Sequence, residues 1–479
     1  MQRIRLLFDK SWNSPTIMTW FSLTSKPFSF LLLLPLILTR FSQEEIALWY
    51  VFNLYLSIKR LSDFGFSNAL IRVVSYAYAG RKKIGTLIKV SDEEVGYGPN
   101  KELLKKIIAT MNNIYVFMAY GALGVLGLCT FLVIEPINQT SNISENYIAW
   151  LVIVLVSGVS IYERKYTNYL NGINEIALVK KWDGIFSYIA LGTNLLIVFV
   201  TNSFLFLVLS SQFWLLVRFL RNRILAYKVK NELYRELNNR SFDKATFNEI
   251  WGPAWKGGVS SLVSQGVIYS SGIIYSQVAN SNNIAGYLFA LKIYEILRSF
   301  AQAPFQSRIP KLSQLRAQNK IKEWKDQAQK GMFLGSATFV LGIIILGIIG
   351  QPLFTLIGSN ISFPEFHLWY ALGFAYFFHR YGSMHTHLYM TTNKVNSHIS
   401  DTISGGIFLL TCIFLYKKIE VLAFPISMLV SYVGFYIWFA LYFSIKVINE
   451  PIIKFEKKAS LIPLFLLIST FIIQYLLIN

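Results

Sequence analysis

Acids and bases recur on a helical period inside the apolar stretches of this chain. At about 100° per residue, Lys292, Glu295, Arg298, Ser299, Gln302 and Gln306 fall within an arc of roughly 120°. Lys59, Arg60, Asp63 and Ser67 share a second arc of about 100°, with Asn53 beside it. Tyr376, His379, Arg380, Ser383, Thr386 and His387 make a third face, and Ser22, Ser25, Lys26 and Ser29 a fourth, where Pro27 is expected to kink the helix beside the lysine. Lys26, Lys59, Arg60, Lys292, Arg298 and Arg380 against Asp63 and Glu295 leave these faces at +4. Such a set suits an anion, because a guanidinium can hold a phosphate through two parallel hydrogen bonds. No covalent catalysis is expected.

Magnitude limits where these faces can point. A cation at mid-bilayer costs about 2.5 to 3.5 kcal/mol, so six facing lipid would cost roughly 15 to 20 kcal/mol. That exceeds a typical folding stability of about 5 to 15 kcal/mol. The cations must line a hydrated cavity, pair with acids or snorkel, and several bland readings stay open. Lys59 and Arg60, about 21 Å into their span, could reach the cytoplasmic surface, where Arg72 is also expected. Glu295 could neutralise Lys292 and Arg298, and Asp63 could simply end or pair a helix. His379 either titrates beside Arg380 or is a packed core histidine. All five histidines fall between His367 and His398, yet His379 and His387 lie about 12 Å apart along one face and His385 points away, so no metal site is expected.

The elements that carry these faces follow from composition. The 479 residues are 54% hydrophobic and 15% charged, against roughly 25% charged in a soluble domain, and mean hydropathy is +0.45. A soluble enzyme is excluded. Thirteen apolar spans are expected near 16 to 38, 45 to 75, 107 to 134, 147 to 163, 184 to 200, 204 to 217, 257 to 279, 284 to 307, 331 to 357, 366 to 391, 399 to 416, 421 to 445 and 459 to 478. The first follows Arg3, Arg5 and Lys10 but lacks a small-residue cleavage site, so it reads as a retained helix. The net charge of +20 would suggest nucleic acid in a soluble chain; here 35 Lys and Arg fall in one set of alternate loops and only Arg40, Lys417 and Lys418 in the other. That alternation predicts a cytoplasmic amino terminus and no nucleic-acid partner. Cys129 and Cys412 sit in apolar runs and read as packing residues, as do Gly121, Gly124 and Gly127, whose spacing suits close helix packing.

The loops carry no GxxxxGK[ST] phosphate-binding run, and the outer connections are short, so neither nucleotide hydrolysis nor an external catalytic domain is expected. Sliding the chain by 238 residues places Ile46, Ala47, Ile58 and Arg60 on Ile284, Ala285, Ile296 and Arg298. Spans 2 and 8 are where a six-plus-six duplication would put that match. The expected architecture is therefore an all-α polytopic membrane protein: two six-helix bundles related by a pseudo-two-fold axis along the membrane normal, plus one extra C-terminal helix. Its expected divisions are 1–226, a cytoplasmic linker at 227–250, 251–447, and 448–479.

The stretch KRLSDFGFSNALIRVVSYAYAG, Lys59 to Gly80, with Asp63, Phe64 and Gly65 at the end of span 2 and an amphipathic continuation into a basic loop, resembles the O-antigen-type polysaccharide flippases of the multidrug, oligosaccharidyl-lipid and polysaccharide exporter superfamily. The resemblance covers the layout from span 1 through span 12; the helix at 459–478 is a departure from it. It implies a transporter that moves an undecaprenyl-diphosphate-linked oligosaccharide across a bacterial inner membrane by alternating access coupled to H+ or Na+, with a polysaccharide polymerase as partner and no cofactor. Lys26, Lys59, Arg60, Lys292, Arg298 and Arg380 would then bind substrate, and Asp63, Glu295 or His379 would couple to the ion. Two rivals stand beside it. A multidrug exporter of the same fold would call for acidic residues to bind cationic compounds, and a membrane glycosyltransferase or polymerase would draw on Glu44 and Glu45 in the first outer loop.

Overall fold

Local chemistry sets the first helix: Ser14 accepts the N–H of Ile17 at 3.4 Å and Pro15 opens α1, Pro15–Arg40, which continues through Pro27 and Pro35. The computed structural model describes residues 12–42, 44–46, 48–49, 51–53, 63–85, 87, 96–237, 241–278, 281–357 and 363–478. Among these the chain is helical throughout its regular elements. It divides into two compact units, the first Met1–Ile84 with Glu93–Ala254, the second Gly85–Asp92 with Trp255–Asn479.

The first unit holds α1, α2 (Phe66–Tyr78), α3 (Lys101–Asn138), α4 (Ile143–Tyr162), α5 (Arg164–Gly172), α6 (Ile176–Thr201), α7 (Phe204–Leu237) and the start of α8 (Lys244–Val278). The expected span at 45–75 is not one helix. Phe64 and Gly65 adopt φ of 41° and 80°, a left-handed turn that a glycine accepts without steric cost, and α2 starts only after it. Arc arithmetic carried across Asp63 and Ser67 therefore fails. Arg72, expected to snorkel, is instead buried, at 3% exposure, in α2, which packs against α5. The two helices approach so closely that a Cβ at Gly172 would overlap Val74, and Ser75 donates its hydroxyl to the Gly172 carbonyl at 3.0 Å. Among the described residues nothing lies close to Gly121, Gly124 or Gly127: all three are exposed, and α3 approaches α4 closely at Leu123 against Gly158 instead.

The second unit comprises the rest of α8, α9 (Ser281–Gln306), α10 (Ile309–Ala317), α11 (Ile321–Ile357), α12 (Phe366–Met390), α13 (Ser397–Ile419), α14 (Ala423–Ser431), a π turn at Tyr432–Tyr436, α15 (Ile437–Ile448), α16 (Ile452–Glu456) and α17 (Leu461–Ile478). Its core is unusually aromatic: Tyr287, Tyr294, Phe339, Trp369, Tyr370, Tyr376, Tyr432 and Tyr436 are buried together. Buried phenols need acceptors, and Tyr294 gives its proton to the Trp369 carbonyl at 2.6 Å, Tyr370 to Gln474 at 2.9 Å. The latter bond, with Phe366 stacked on Phe471, seats α17 against α12.

Five helical stretches among the described residues are long and apolar enough to cross a membrane: Lys101–Asn138, Ile143–Gly172, Ile176–Thr201, Phe204–Leu237 and Ile321–Pro352. Along the middle of α3 the exposed side chains are apolar, Phe117, Tyr120, Leu128 and Phe131 among them, which is what lipid contact requires. The chain is a multi-pass membrane protein. Helices α9 and α12 fall below that standard because they carry the polar faces.

Candidate substrate and ion-coupling sites

Among the described residues, Arg380 is the least solvated of the expected cations, 3% exposed in the middle of α12. Its Nη2 donates to the Ala301 carbonyl of α9 and lies 3.9 Å from the Met384 sulfur. Nε and Nη1 are buried without a partner. Gly335 of α11 makes room for the group, since a Cβ there would overlap the guanidinium. Arg298 on α9 is half-buried and close enough to act electrostatically on Arg380, His379 and Tyr432. Among the described residues, no carboxylate stands within salt-bridge distance of either arginine. A buried guanidinium with unspent donors is costly, and an anion is what would relieve it.

Lys292 and Glu295 satisfy each other at 2.9 Å with both side chains about half exposed. Glu295 therefore neutralises Lys292 and leaves Arg298 unmatched. Of the expected wet face of α9, none of Lys292, Glu295, Arg298, Ser299, Gln302 and Gln306 is buried in the unit, whereas Tyr287, Ala290, Tyr294 and Ala301 on the other side are. His379 is 6% exposed, its Nε2 3.3 Å from the Ser264 hydroxyl and its ring 4.7 Å from Tyr432 and 5.5 Å from Tyr436. Both tyrosines belong to the π turn, a local widening that re-aims side chains.

Asp63 lies in the first unit and has a different fate. Its carboxylate accepts the N–H of Ser67 at 3.1 Å, the Ser67 hydroxyl at 2.7 Å and the Tyr115 hydroxyl at 3.2 Å, and it pairs with Arg164 at 3.0 Å. Asn168 closes the ring by donating to Tyr115 at 2.6 Å and Ser67 at 3.2 Å. This is a helix cap with a salt bridge built onto it. Lys26 is exposed on α1. Lys59 and Arg60 lie outside the described residues.

One carboxylate escaped the sequence reading. Asp401, in the first turns of α13, is 6% exposed, accepts a hydrogen bond from Ser260 of α8 and acts electrostatically on Tyr432 and Tyr436, the rings that hold His379. The available signal was a lone acid at the head of an otherwise apolar run, and intramembrane acids are functional candidates by default. Glu45 offers little to a transferase: it and Ser42 form a reciprocal helix cap, each accepting the other's N–H at 3.2 Å.

No model of a known protein family matches the sequence, and no curated protein does. Solved structures do. A variant of the Vibrio cholerae MATE transporter VcmN superposes with a TM-score of 0.69 at 12% identity, over 92% of this chain and 97% of that one. An outward-facing multidrug resistance MATE family transporter of the MOP superfamily gives 0.68 at 12%, over 91% and 95%. A MOP superfamily transporter from Pyrococcus furiosus, described as having a binding pocket of reverse polarity that suggests a different function, gives 0.67 at 11%, over 92% and 97%. At such identities the likeness establishes the fold, and the chain has the all-helical fold of these transporters.

Proposed function

We propose that the chain is an ion-coupled transporter that flips an undecaprenyl-diphosphate-linked oligosaccharide across a bacterial inner membrane for cell-surface polysaccharide assembly. The observation that carries this reading is the pair Arg298 and Arg380, two guanidiniums in one unit with no carboxylate in contact among the described residues. A diphosphate supplies the missing charge and the missing acceptors together. Arg298, half-buried, makes the contact; Arg380 behind it sets the positive potential. Lys26, Lys59, Arg60 and Lys292 are the further candidates for substrate binding. Asp401 and His379, linked through Tyr432 and Tyr436, offer a carboxylate and an imidazole to a coupling H+ or Na+, a role also open to Glu295 and Asp63. The amino terminus is cytoplasmic, a polymerase takes the product, and no covalent chemistry is required.

Multidrug export is the second reading, favoured by the multidrug resistance role of one structural neighbour. Reversed pocket polarity within the same fold, as described for another, speaks for an anionic cargo. Purified protein in liposomes loaded with the lipid-linked oligosaccharide separates the two. Glycan should become accessible to an added lectin faster than in empty liposomes, and the gain should vanish in Arg298→Gln. Efflux of a cationic dye with no glycan movement overturns the proposal.

A further inference from the structure

Three cations in the first unit converge on one carboxylate. Asp183, near the start of α6, is met by Arg221 of α7 with Nη2 at 2.7 Å, by Arg218 with Nε at 3.7 Å and by Lys180 with Nζ at 3.7 Å. Only the first distance is a hydrogen bond; the other two exceed hydrogen-bond reach, so the donors of Arg218 and Lys180 are not spent on Asp183. Three cations against one carboxylate leave two positive charges. Arg221 is itself 8% exposed, and its Nε and Nη1 are buried without a partner. Lys180 and Arg218 form the open side, 35% and 42% exposed. An ion pair built only for stability would not carry two surplus cations and unspent buried donors.

The surroundings name the ligand. The cluster sits where the apolar stretches expected at 184–200 and 204–217 begin and end, the depth of lipid headgroups. Trp182 stacks on Phe186 at 5.6 Å, Phe186 meets Trp214 at 5.8 Å, and the Arg221 guanidinium lies 5.6 Å from the Phe186 ring centre. Such amphipathic rings anchor a helix pair at the interface, and a basic pocket between two helices there fits an anionic headgroup. We propose that Lys180, Arg218 and Arg221 form a binding site for the phosphate of an anionic membrane lipid, distinct from the Arg298 and Arg380 pair and independent of what the protein transports.

The test uses the full chain purified in a non-ionic detergent, with phosphatidylglycerol and phosphatidylcholine as probes and bound lipid read by native mass spectrometry. The wild type should retain phosphatidylglycerol in preference to phosphatidylcholine. The double variant Lys180→Gln with Arg218→Gln keeps the buried Arg221–Asp183 pair and should melt as the wild type does. Its phosphatidylglycerol affinity should fall roughly thirtyfold, the factor for two cations beside an anionic headgroup. Equal affinity in wild type and double variant, or no preference between the two lipids, overturns the site. Displacement of phosphatidylglycerol by millimolar inorganic phosphate overturns the lipid assignment, and retention in its presence supports it.

Discussion

Asp63 in the first unit and Arg380 in the second both looked, as sequence, like charged members of polar faces in otherwise apolar spans. Their environments are opposite. Asp63 has four partners: a backbone N–H, two hydroxyls and Arg164. Arg380 spends one nitrogen on a carbonyl and leaves two with nothing. A saturated charge is part of the scaffold, because its stabilisation is already realised in the resting protein. An unsaturated one holds its interaction in reserve for something that arrives, at a standing cost to stability. Under the proposed function, the contrast separates stability from transport, residue by residue.

The largest effect should therefore fall on transport without loss of protein. Arg298→Gln removes the contacting guanidinium, a charge-assisted interaction of about 1.5 to 3 kcal/mol, and should slow glycan translocation by at least about tenfold. Arg380→Met, which replaces a buried, unmatched charge with an apolar side chain of similar length, should also abolish transport while leaving melting unchanged or raising it. The two readings diverge in Arg380→Met: melting and translocation measured on the same preparation would show both falling together if the guanidinium were a structural strut. Neutralising Glu295 together with Arg298 should rescue nothing, since Glu295 is held by Lys292.

Asp63→Asn is the complementary case. It keeps the side-chain size but loses the pairing with Arg164 and turns one acceptor into a donor facing Ser67 and Tyr115. The expected cost is about 1 to 3 kcal/mol of stability, read as a lower melting temperature and reduced membrane abundance. Translocation per surviving molecule should be nearly normal. A full-strength fold with no transport would instead place Asp63 among the ion-coupling groups.

How much of this was legible depended on the range of the interaction. Hydrophobic runs and the alternation of basic loops are local quantities, so the helical architecture could be read directly. The unmatched state of Arg380 was half legible: its face was visible, but Ala301 and Gly335, which fix its geometry, come from other helices. Asp401 was a lone acid in plain view whose partner, Ser260, is 141 residues away. The burial of Arg72 was not written locally: most of α2 is buried, and α5 reaches that helix at Gly172, nearly a hundred positions on. The break at Asp63 was written locally in Phe64 and Gly65, and periodicity, which assumes an unbroken helix, ran straight over it.

The smallest expected effect sharpens the same contrast between satisfied and unsatisfied carboxylates at the start of α8. Asp243 accepts the N–H groups of Ala245 at 2.9 Å and Thr246 at 3.0 Å, a cap like that of Asp63. Glu249, a turn and a half further, is exposed and feels two influences that raise its carboxyl above the ordinary value, partial burial first and the charge of Asp243 second, with Lys83 pulling weakly the other way. A carboxyl raised in the folded state holds its proton more tightly there than in the unfolded chain. Its contribution to stability is present at low pH and is lost as pH rises from about 4.5 through the folded value. Glu249→Gln cannot titrate, so its melting temperature should match the wild type near pH 4 and exceed it slightly at pH 7, by a few tenths of a kcal/mol at most because solvent screens so exposed a group. Asp243→Asn should shrink the difference by removing the repelling charge, while weakening the cap. A melting difference that is flat across this range would mean that Glu249 is as well matched as Asp63, and that the unsatisfied charges of this molecule are confined to its cations.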